Sequence, residues 1–133
     1  MSHARCTYCS APKRTTPDLL PAVERYLSPR IAALWQACQE DGRPMLILSG
    51  QYGLLRPEDP IPWYDHLMAP EEVADMAARI TAQLRTLEIS RIEYTTAKTS
   101  IAPAVIPYLE ALTSACRNAG VNLELIELDE DIP

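Results

Sequence analysis

The sequence predicts a three-layer α/β domain with a mostly parallel sheet of about four strands. Apolar runs typical of strands alternate with segments that carry apolar residues at helical spacing, in the order β-α-β-loop-α-β-α-β. The run at 45–48, Met-Leu-Ile-Leu, has no polar residue, as expected of a parallel strand buried on both faces. A chain of 133 residues is long enough for one core, so we expect a single domain over residues 1–133.

In the first half we predict a strand at 5–10, a helix at 18–27, a second helix from Ser28 to Gly42 and a central strand at 45–49. The second helix has the clearest signals. Ser28 is a favourable N-cap, and Pro29 suits the first helical position, where its missing N–H is not needed. Gly42 can adopt the left-handed conformation that ends many helices.

In the second half we predict a helix that begins at Pro70, a strand at 91–96, a helix over 103–119 and a last strand at 121–128. Two glutamates follow Pro70 directly, and acidic residues in a first turn interact favourably with the helix dipole. Gly120 is a natural end for the last helix. Glutamates alternate along the last strand, which indicates one solvated face.

The chain has a net charge of −6, and the charge is uneven: residues 1–56 sum to +3 and residues 57–133 to −9. An acidic chain is a poor general binder of nucleic acid, although the basic half suits a small anion. No apolar run approaches the ~20 residues of a membrane span, and none near the start resembles a signal peptide. We therefore expect a cytoplasmic protein with no membrane partner, and the sequence leaves oligomerisation open.

Ligands of open α/β sheets bind beyond the carboxyl ends of the strands. Three strand ends supply the candidate ligand-binding residues: Cys9, Ser10 and Lys13, then Ser49, Gly50, Gln51, Tyr52 and Gly53, then Lys98, Thr99 and Ser100. Both lysines of the chain are in this set. Ammonium groups, hydroxyls and backbone amides together suit an anion pocket. The alternative is that these are ordinary polar loop residues.

A loop of roughly twenty residues follows the central strand, and loops of that length are usually functional or disordered. Tyr52 and Tyr64 in this loop are expected either to stack on a planar ligand or to pack beneath the loop. His66 follows Asp65 directly, and adjacent side chains rarely point the same way. A catalytic His66 therefore competes with a surface or structural one.

The pair Cys6-x-x-Cys9 raises the question of zinc or redox chemistry. Structural zinc needs a second pair of ligands, which the sequence does not place nearby, and a redox pair needs a helix start after a strand. We prefer Cys9 as a site residue and Cys6 as a core residue, and we expect no metal and no cofactor. Neither GxGxxG nor GxxxxGK[ST] occurs, so no nucleotide-binding fingerprint applies.

Three motifs in the first half resemble those of the DUF6884 group of uncharacterised proteins, which is associated with YaaA-like proteins. That group has Cys-Ser-x-x-Lys after the first strand, then Ile-Leu-Ser-Ala-x-x-Gly-Leu, then Pro-Tyr-Asp. The corresponding residues here are Cys9 to Lys13, Ile47 to Leu54 and Pro62-Trp63-Tyr64-Asp65. The resemblance implies a Rossmann-like domain with a pocket on the three motifs. Similar domains occur beside tRNA-guanine transglycosylase and 7-deazaguanine enzymes, which implies a nucleobase or nucleotide ligand.

Three functional interpretations follow. The first is a small-molecule enzyme that acts on a nucleotide or nucleoside, with N-glycosidic bond hydrolysis or transfer as its reaction. Asp65 and Tyr64 are then the catalytic candidates, a tyrosine stacks on the base, and Lys13 and Lys98 hold phosphate. The second is a non-catalytic nucleotide-binding or sensor module. The third is a structural partner subunit with a vestigial pocket.

Overall fold

The computed structural model describes residues 2–133 and contains a five-stranded main sheet. Its strands are β1 (Ser2–Tyr8), β3 (Met45–Ser49), β4 (Gly53–Leu55), β6 (Ile89–Ala97) and β7 (Asn122–Leu128), and a separate pair consists of β2 (Leu20–Pro21) and β5 (Pro60–Ile61). The helices are α1 (Ala22–Arg25), α2 (Pro29–Asp41), α3 (Val73–Thr86) and α4 (Ile106–Ala119). Short 3₁₀ turns at Pro70–Glu72 and Pro103–Val105 precede α3 and α4.

The main sheet has the order β4-β3-β1-β6-β7, with β1 at its centre. All neighbouring strands are parallel except β4, which runs antiparallel to β3 at one edge. The chain first moves from β1 to β3 on one side and later crosses to β6 on the other. The carboxyl end of β1 therefore lies where the strand order reverses, which is where open α/β sheets usually bind ligands.

The predicted α/β class and the mostly parallel sheet are confirmed, but the count of about four strands is wrong. The additional strand is β4, which lies inside the predicted twenty-residue loop. It has only three residues and pairs with β3 through Ile47, Leu48 and Ser49. A three-residue strand is too short to show a recognisable alternation of apolar and polar residues, so these residues were predicted as part of the loop.

The predicted helix at 18–27 is also wrong, because only the single turn of α1 is helical there. Leu20 and Pro21 pair with β5 instead. Of the apolar residues at helical spacing there, Leu20 and Val23 are half-buried and Leu27 is 45% exposed, so the spacing did not mark one buried face. Tertiary pairing thus overrides the local helical pattern.

The predicted ends of α2 are confirmed. Ser28 Oγ accepts a hydrogen bond from the backbone N–H of Ile31 at 3.1 Å, as an N-cap should. Gly42 is left-handed with φ 69°, and Gly120 closes α4 in the same way with φ 70°. The other helices and strands of the second half match the prediction with small shifts at their ends.

Arg25 fixes the irregular segment between β1 and α2. Its side chain is fully buried, and its guanidinium donates to four backbone carbonyls: Arg14 O at 2.7 Å, Thr16 O at 3.0 Å, Asp18 O at 2.5 Å and Ile61 O at 3.1 Å. Within residues 2–133 it forms no ion pair with a carboxylate. The buried charge is therefore stabilised by carbonyl dipoles alone.

None of the helices between residues 2 and 133 combines the length and the apolar character that crossing a membrane requires.

Replacing Arg25 with Met should lower the free energy of unfolding by about 3–5 kcal/mol, because buried carbonyls lose their donors. Urea denaturation monitored by circular dichroism measures this loss. Arg56→Met is the matched control, since Arg56 pairs only with neighbouring acids on the surface and its loss should leave the midpoint nearly unchanged. Equal effects of the two substitutions would show that the carbonyl contacts of Arg25 do not stabilise the fold.

Candidate functional site

A pocket of about 250 Å³ opens at the carboxyl end of β1. Four segments form its wall: the loop at 9–13, the segment at 65–67, the start of the α4 region at 102–108 and the C-terminal residues Asp131 and Pro133. Arg30 of α2 and Tyr8 of β1 complete it. The pocket thus lies at the switch point of the sheet, and its wall combines apolar surface with a few charged groups.

Hydrogen bonds of the backbone and of the Ser10 side chain hold the loop at 9–13 in place. Cys9 N donates to Leu48 O at 2.9 Å, and Ser10 Oγ donates to Pro12 O at 2.7 Å. An antiparallel bridge then pairs Lys13 with Tyr26. These contacts fix the position from which the Lys13 side chain reaches the pocket.

The ammonium group of Lys13 lies over two tyrosine rings. Its Nζ is 4.6 Å from the ring centroid of Tyr64 and 5.9 Å from that of Tyr26. Such contacts stabilise a cation without neutralising it. Lys13 forms no ion pair with any carboxylate of residues 2–133, so its charge is available to an anionic ligand.

Arg30 supplies a second cation, and its side chain is almost completely buried. Nε donates to Ile132 O at 3.0 Å, Nη1 to Thr7 Oγ1 and Tyr8 O at 2.5 Å each, and Nη2 to Cys9 O at 3.1 Å. Its guanidinium carbon is 3.6 Å from the centroid of the Tyr8 ring. These bonds use four of the five N–H groups of a guanidinium. Burial lowers the pKa of Arg30, but a guanidinium stays protonated in proteins.

Two tyrosines, Tyr8 and Tyr108, contribute hydroxyl groups to the pocket region. The hydroxyl of Tyr8 is buried and has no hydrogen-bond partner among residues 2–133. Tyr108 Oη accepts a hydrogen bond from Met68 N at 3.1 Å and lies 3.9 Å from Cys9 Sγ. Burial raises the pKa of Tyr108, so its hydroxyl stays protonated.

His66 and Glu72 form a pair at the same pocket. His66 Nε2 is 2.9 Å from Glu72 Oε1 and 2.8 Å from Oε2. Ala69 N also donates to Glu72 Oε1, at 2.8 Å. The pKa of Glu72 is lowered, first by the Ala69 N–H and then by His66, so the carboxylate is ionised at neutral pH. Asp65, the residue before His66, is exposed on the pocket wall.

Tyr64 belongs to a buried hydroxyl network behind Lys13. Its Oη lies 2.8 Å from Ser49 Oγ and 2.5 Å from Tyr26 Oη. Ser49 Oγ additionally accepts the backbone N–H groups of Gln51 and Tyr52 at 3.0 and 3.1 Å. Burial raises the pKa of Tyr64, and both hydroxyl neighbours are already engaged. The network places the Tyr64 hydroxyl between Ser49 and Tyr26, and its predicted catalytic role stays a prediction.

The structure brings together four of the predicted site residues on the pocket wall: Cys9, Ser10, Lys13 and Asp65. Tyr64, Ser49 and Gly50 lie behind that wall. Gly50 allows a close approach, since a Cβ there would be 2.7 Å from Tyr108 Oη and 3.0 Å from His66 O. Which of these side chains contacts a ligand stays a prediction.

The other predicted residues lie elsewhere. Gln51 is exposed, and its carbonyl accepts a hydrogen bond from Arg79. Tyr52 packs edge-on against Tyr64, with ring centroids 5.3 Å apart. Gly53 lies beside the side chain of Gln83. Lys98 pairs with Asp129 at 2.7 Å, and neither it nor Thr99 and Ser100 lines the pocket. The third strand end therefore lies outside this pocket, where Lys98 ties it to the C-terminal segment, and its part in ligand binding stays a prediction.

The sequence analysis missed Arg30, Tyr8 and Tyr108 as pocket residues. Arg30 precedes Ile31 on the buried side of α2, and a charged residue in that position was the one available signal. Tyr108 lies within the predicted helix over 103–119, where apolar spacing describes its ring and not its hydroxyl. No group of three His, Cys, Asp or Glu side chains within residues 2–133 is arranged to hold a metal ion.

Comparison with known proteins identifies a family but no characterised relative. The sequence model of DUF6884, described as a family of unknown function, matches residues 7–128. No curated protein and no solved structure matches the chain. The function must therefore be inferred from the pocket.

Gly50→Ala should destabilise the protein by about 1–3 kcal/mol, since the added methyl group meets Tyr108 Oη and two backbone atoms. The double variant Gly50→Ala/Tyr108→Phe should lose less than the sum of the single losses, because the nearest obstacle has been removed. Thermal and urea unfolding of the three variants measure the coupling. Strictly additive losses in the free energy of unfolding would show that positions 50 and 108 are not in steric contact.

Proposed function

Since this chain belongs to the DUF6884 family, whose function is unknown, we propose from its pocket that it binds a small phosphorylated ligand of the nucleotide class. One observation carries the proposal. Lys13 and Arg30 are cations on the same pocket wall, and neither is neutralised by a carboxylate within 4.0 Å among residues 2–133. Asp131 acts on Arg30 at longer range, but a cation that forms no close ion pair in a partly apolar site still attracts an anion.

The remaining wall suits the rest of such a ligand. Tyr108, Val105 and Ala102 offer apolar surface for a planar base, while the Asp65 carboxylate can accept hydrogen bonds from sugar hydroxyls. Of the two tyrosines expected to stack on the base, Tyr64 is covered by Lys13 and Tyr52 packs against Tyr64. Tyr8 and Tyr108 are the aromatic residues that line the pocket. A pocket of about 250 Å³ suits a ligand of mononucleotide size and is small for a dinucleotide.

Catalysis at an N-glycosidic bond is the second candidate, favoured by the exposed Asp65 carboxylate on the wall. In this proposal Asp65 activates water or stabilises an oxocarbenium-like ribose. A binding or sensor module would use the same contacts without turnover. No observation favours a partner subunit with a vestigial pocket.

We also propose the finer description of the fold as Rossmann-like with three layers. The strand order supports it, as do the contacts of β1 with two helices: Thr7 meets Arg30 of α2, and Tyr8 meets Tyr108 of α4 with ring centroids 6.4 Å apart. The link to YaaA-like proteins, the cytoplasmic location and any oligomer stay predictions.

The two lysines provide a direct test of the phosphate site. Lys13→Ala should weaken binding of AMP by roughly ten- to hundredfold, the range of a charge-assisted hydrogen bond, and should weaken adenosine much less. Lys98→Ala should leave AMP binding unchanged, because Lys98 is paired with Asp129 away from the pocket. Isothermal titration calorimetry measures both affinities. Equal losses for AMP and adenosine would contradict a phosphate contact by Lys13, and a loss in Lys98→Ala would place the phosphate at the third strand end.

Asp65→Asn tests catalysis separately from binding. An enzyme should lose at least about a hundredfold in turnover while its affinity for AMP stays within a few-fold, because the amide keeps the shape but not the charge. Release of free base from AMP and from inosine monophosphate, followed by chromatography, gives the turnover. A wild-type protein that binds AMP and releases no base would be a binding module.

A further inference from the structure

His66 lies between two fixed points of an otherwise irregular segment. Two residues before it, Tyr64 Oη is held by Ser49 and Tyr26 in the core. Two residues after it, Met68 is buried and its N–H donates to Tyr108 Oη. The imidazole ring is therefore placed at the pocket by the backbone on both sides, which is unusual for a loop histidine that serves only solubility.

Glu72 fixes the ring orientation. Both carboxylate oxygens lie within 2.9 Å of His66 Nε2, and one of them is itself held by Ala69 N. Since Nε2 donates to an ionised carboxylate, the neutral ring carries its proton on Nε2. Nδ1 is then the ring nitrogen left for a ligand, because it has no partner among the described residues.

The pocket that His66 lines carries charges of both signs. The other titratable or charged side chains on its wall are Tyr8, Cys9, Lys13, Arg30, Asp65, Tyr108 and Asp131. Lys13 and Arg30 favour a bound anion, whereas Asp65 and Asp131 disfavour one. A ligand phosphate in this pocket would thus meet an imidazole, a group that can donate or accept a hydrogen bond.

We propose that His66 is the proton-exchanging group of this pocket and that Glu72 is its positioning residue. The protonated ring donates Nδ1–H to the phosphate of the ligand, and the neutral ring offers Nδ1 as an acceptor. This rests on the proposed binding of a phosphorylated ligand. It assigns to the site a contact that can donate or accept at one nitrogen, which neither Lys13 nor Arg30 can provide, since ammonium and guanidinium groups have no acceptor.

The experiment compares AMP affinity at pH 5.5 and pH 8.0 in the wild type, His66→Gln and His3→Gln. The phosphate of AMP itself titrates near pH 6, so the ratio of wild-type to variant affinity is the informative quantity. We expect the wild type to bind about tenfold more tightly than His66→Gln at pH 5.5 and nearly equally at pH 8.0. His3→Gln should match the wild type at both values, because His3 lies at the start of β1 and outside the pocket.

Glu72→Gln tests the positioning role. The amide can still accept the Ala69 N–H, so the turn before α3 should persist, but the charge that stabilises an imidazolium is gone. We expect the acid-side gain in AMP affinity to begin at a lower pH in this variant. A purely structural Glu72 would change affinity by the same factor at every pH.

Nuclear magnetic resonance of the histidine side chains gives an independent measurement, with His3 as the internal reference. Addition of AMP should shift the Nδ1 resonance of His66 and leave His3 unchanged. If AMP binds with the Lys13 dependence described above while His66 is unperturbed and the affinity ratio is flat with pH, the inference is wrong and the proposed function stands. If the wild type binds neither AMP nor inosine monophosphate, the proposed function is wrong, and the role of His66 is rejected with it.

Discussion

Two buried guanidinium groups hold the irregular parts of this chain in place, and both are stabilised by main-chain carbonyls rather than by carboxylates. Arg25 donates hydrogen bonds to carbonyls within residues 14–18 and to that of Ile61, which holds the segment between β1 and α2 in place. Arg30 donates hydrogen bonds to the carbonyls of Tyr8, Cys9 and Ile132, which connects the end of β1 to the C-terminal segment. Burying a charge is costly unless its N–H groups find acceptors, and here the loops supply acceptors for both Nη groups of Arg25, although its Nε has none among residues 2–133. The pocket wall is a consequence of that requirement.

The regular part of the fold was predictable because its signals are local. The N-cap at Ser28, the glycine that ends α2 and the all-apolar β3 each depend on a few adjacent residues, and each is observed. The turn at 18–27 was not predictable, since its conformation depends on pairing with β5 some forty residues later. The three-residue β4 carries too little pattern to be recognised alone. Long-range pairing accounts for the first miss, and the shortness of the strand accounts for the second.

The candidate site shows the same division between local and long-range effects. Cys9, Ser10 and Lys13 lie on the pocket wall because they directly follow a strand whose end the topology places at the switch point. Ser49 follows a neighbouring strand, yet its hydroxyl is used by Tyr64 and by the backbone of the following turn. Lys98 forms an ion pair with Asp129, which lies thirty-one residues further along the chain. A motif therefore locates the strand end, but competing partners inside the protein decide which of its side chains stay free.

The contact between Gly50 and Tyr108 has a consequence for the history of the family. This chain leaves no space for a methyl group at position 50, because a Cβ there would lie 2.7 Å from the Tyr108 hydroxyl. A lineage that gains or loses that methyl group must adjust the facing residue of α4 in the same evolutionary interval. Positions 50 and 108 should therefore vary as a correlated pair across the family. Chains that keep the glycine and the tyrosine together would form one subgroup with a common pocket floor.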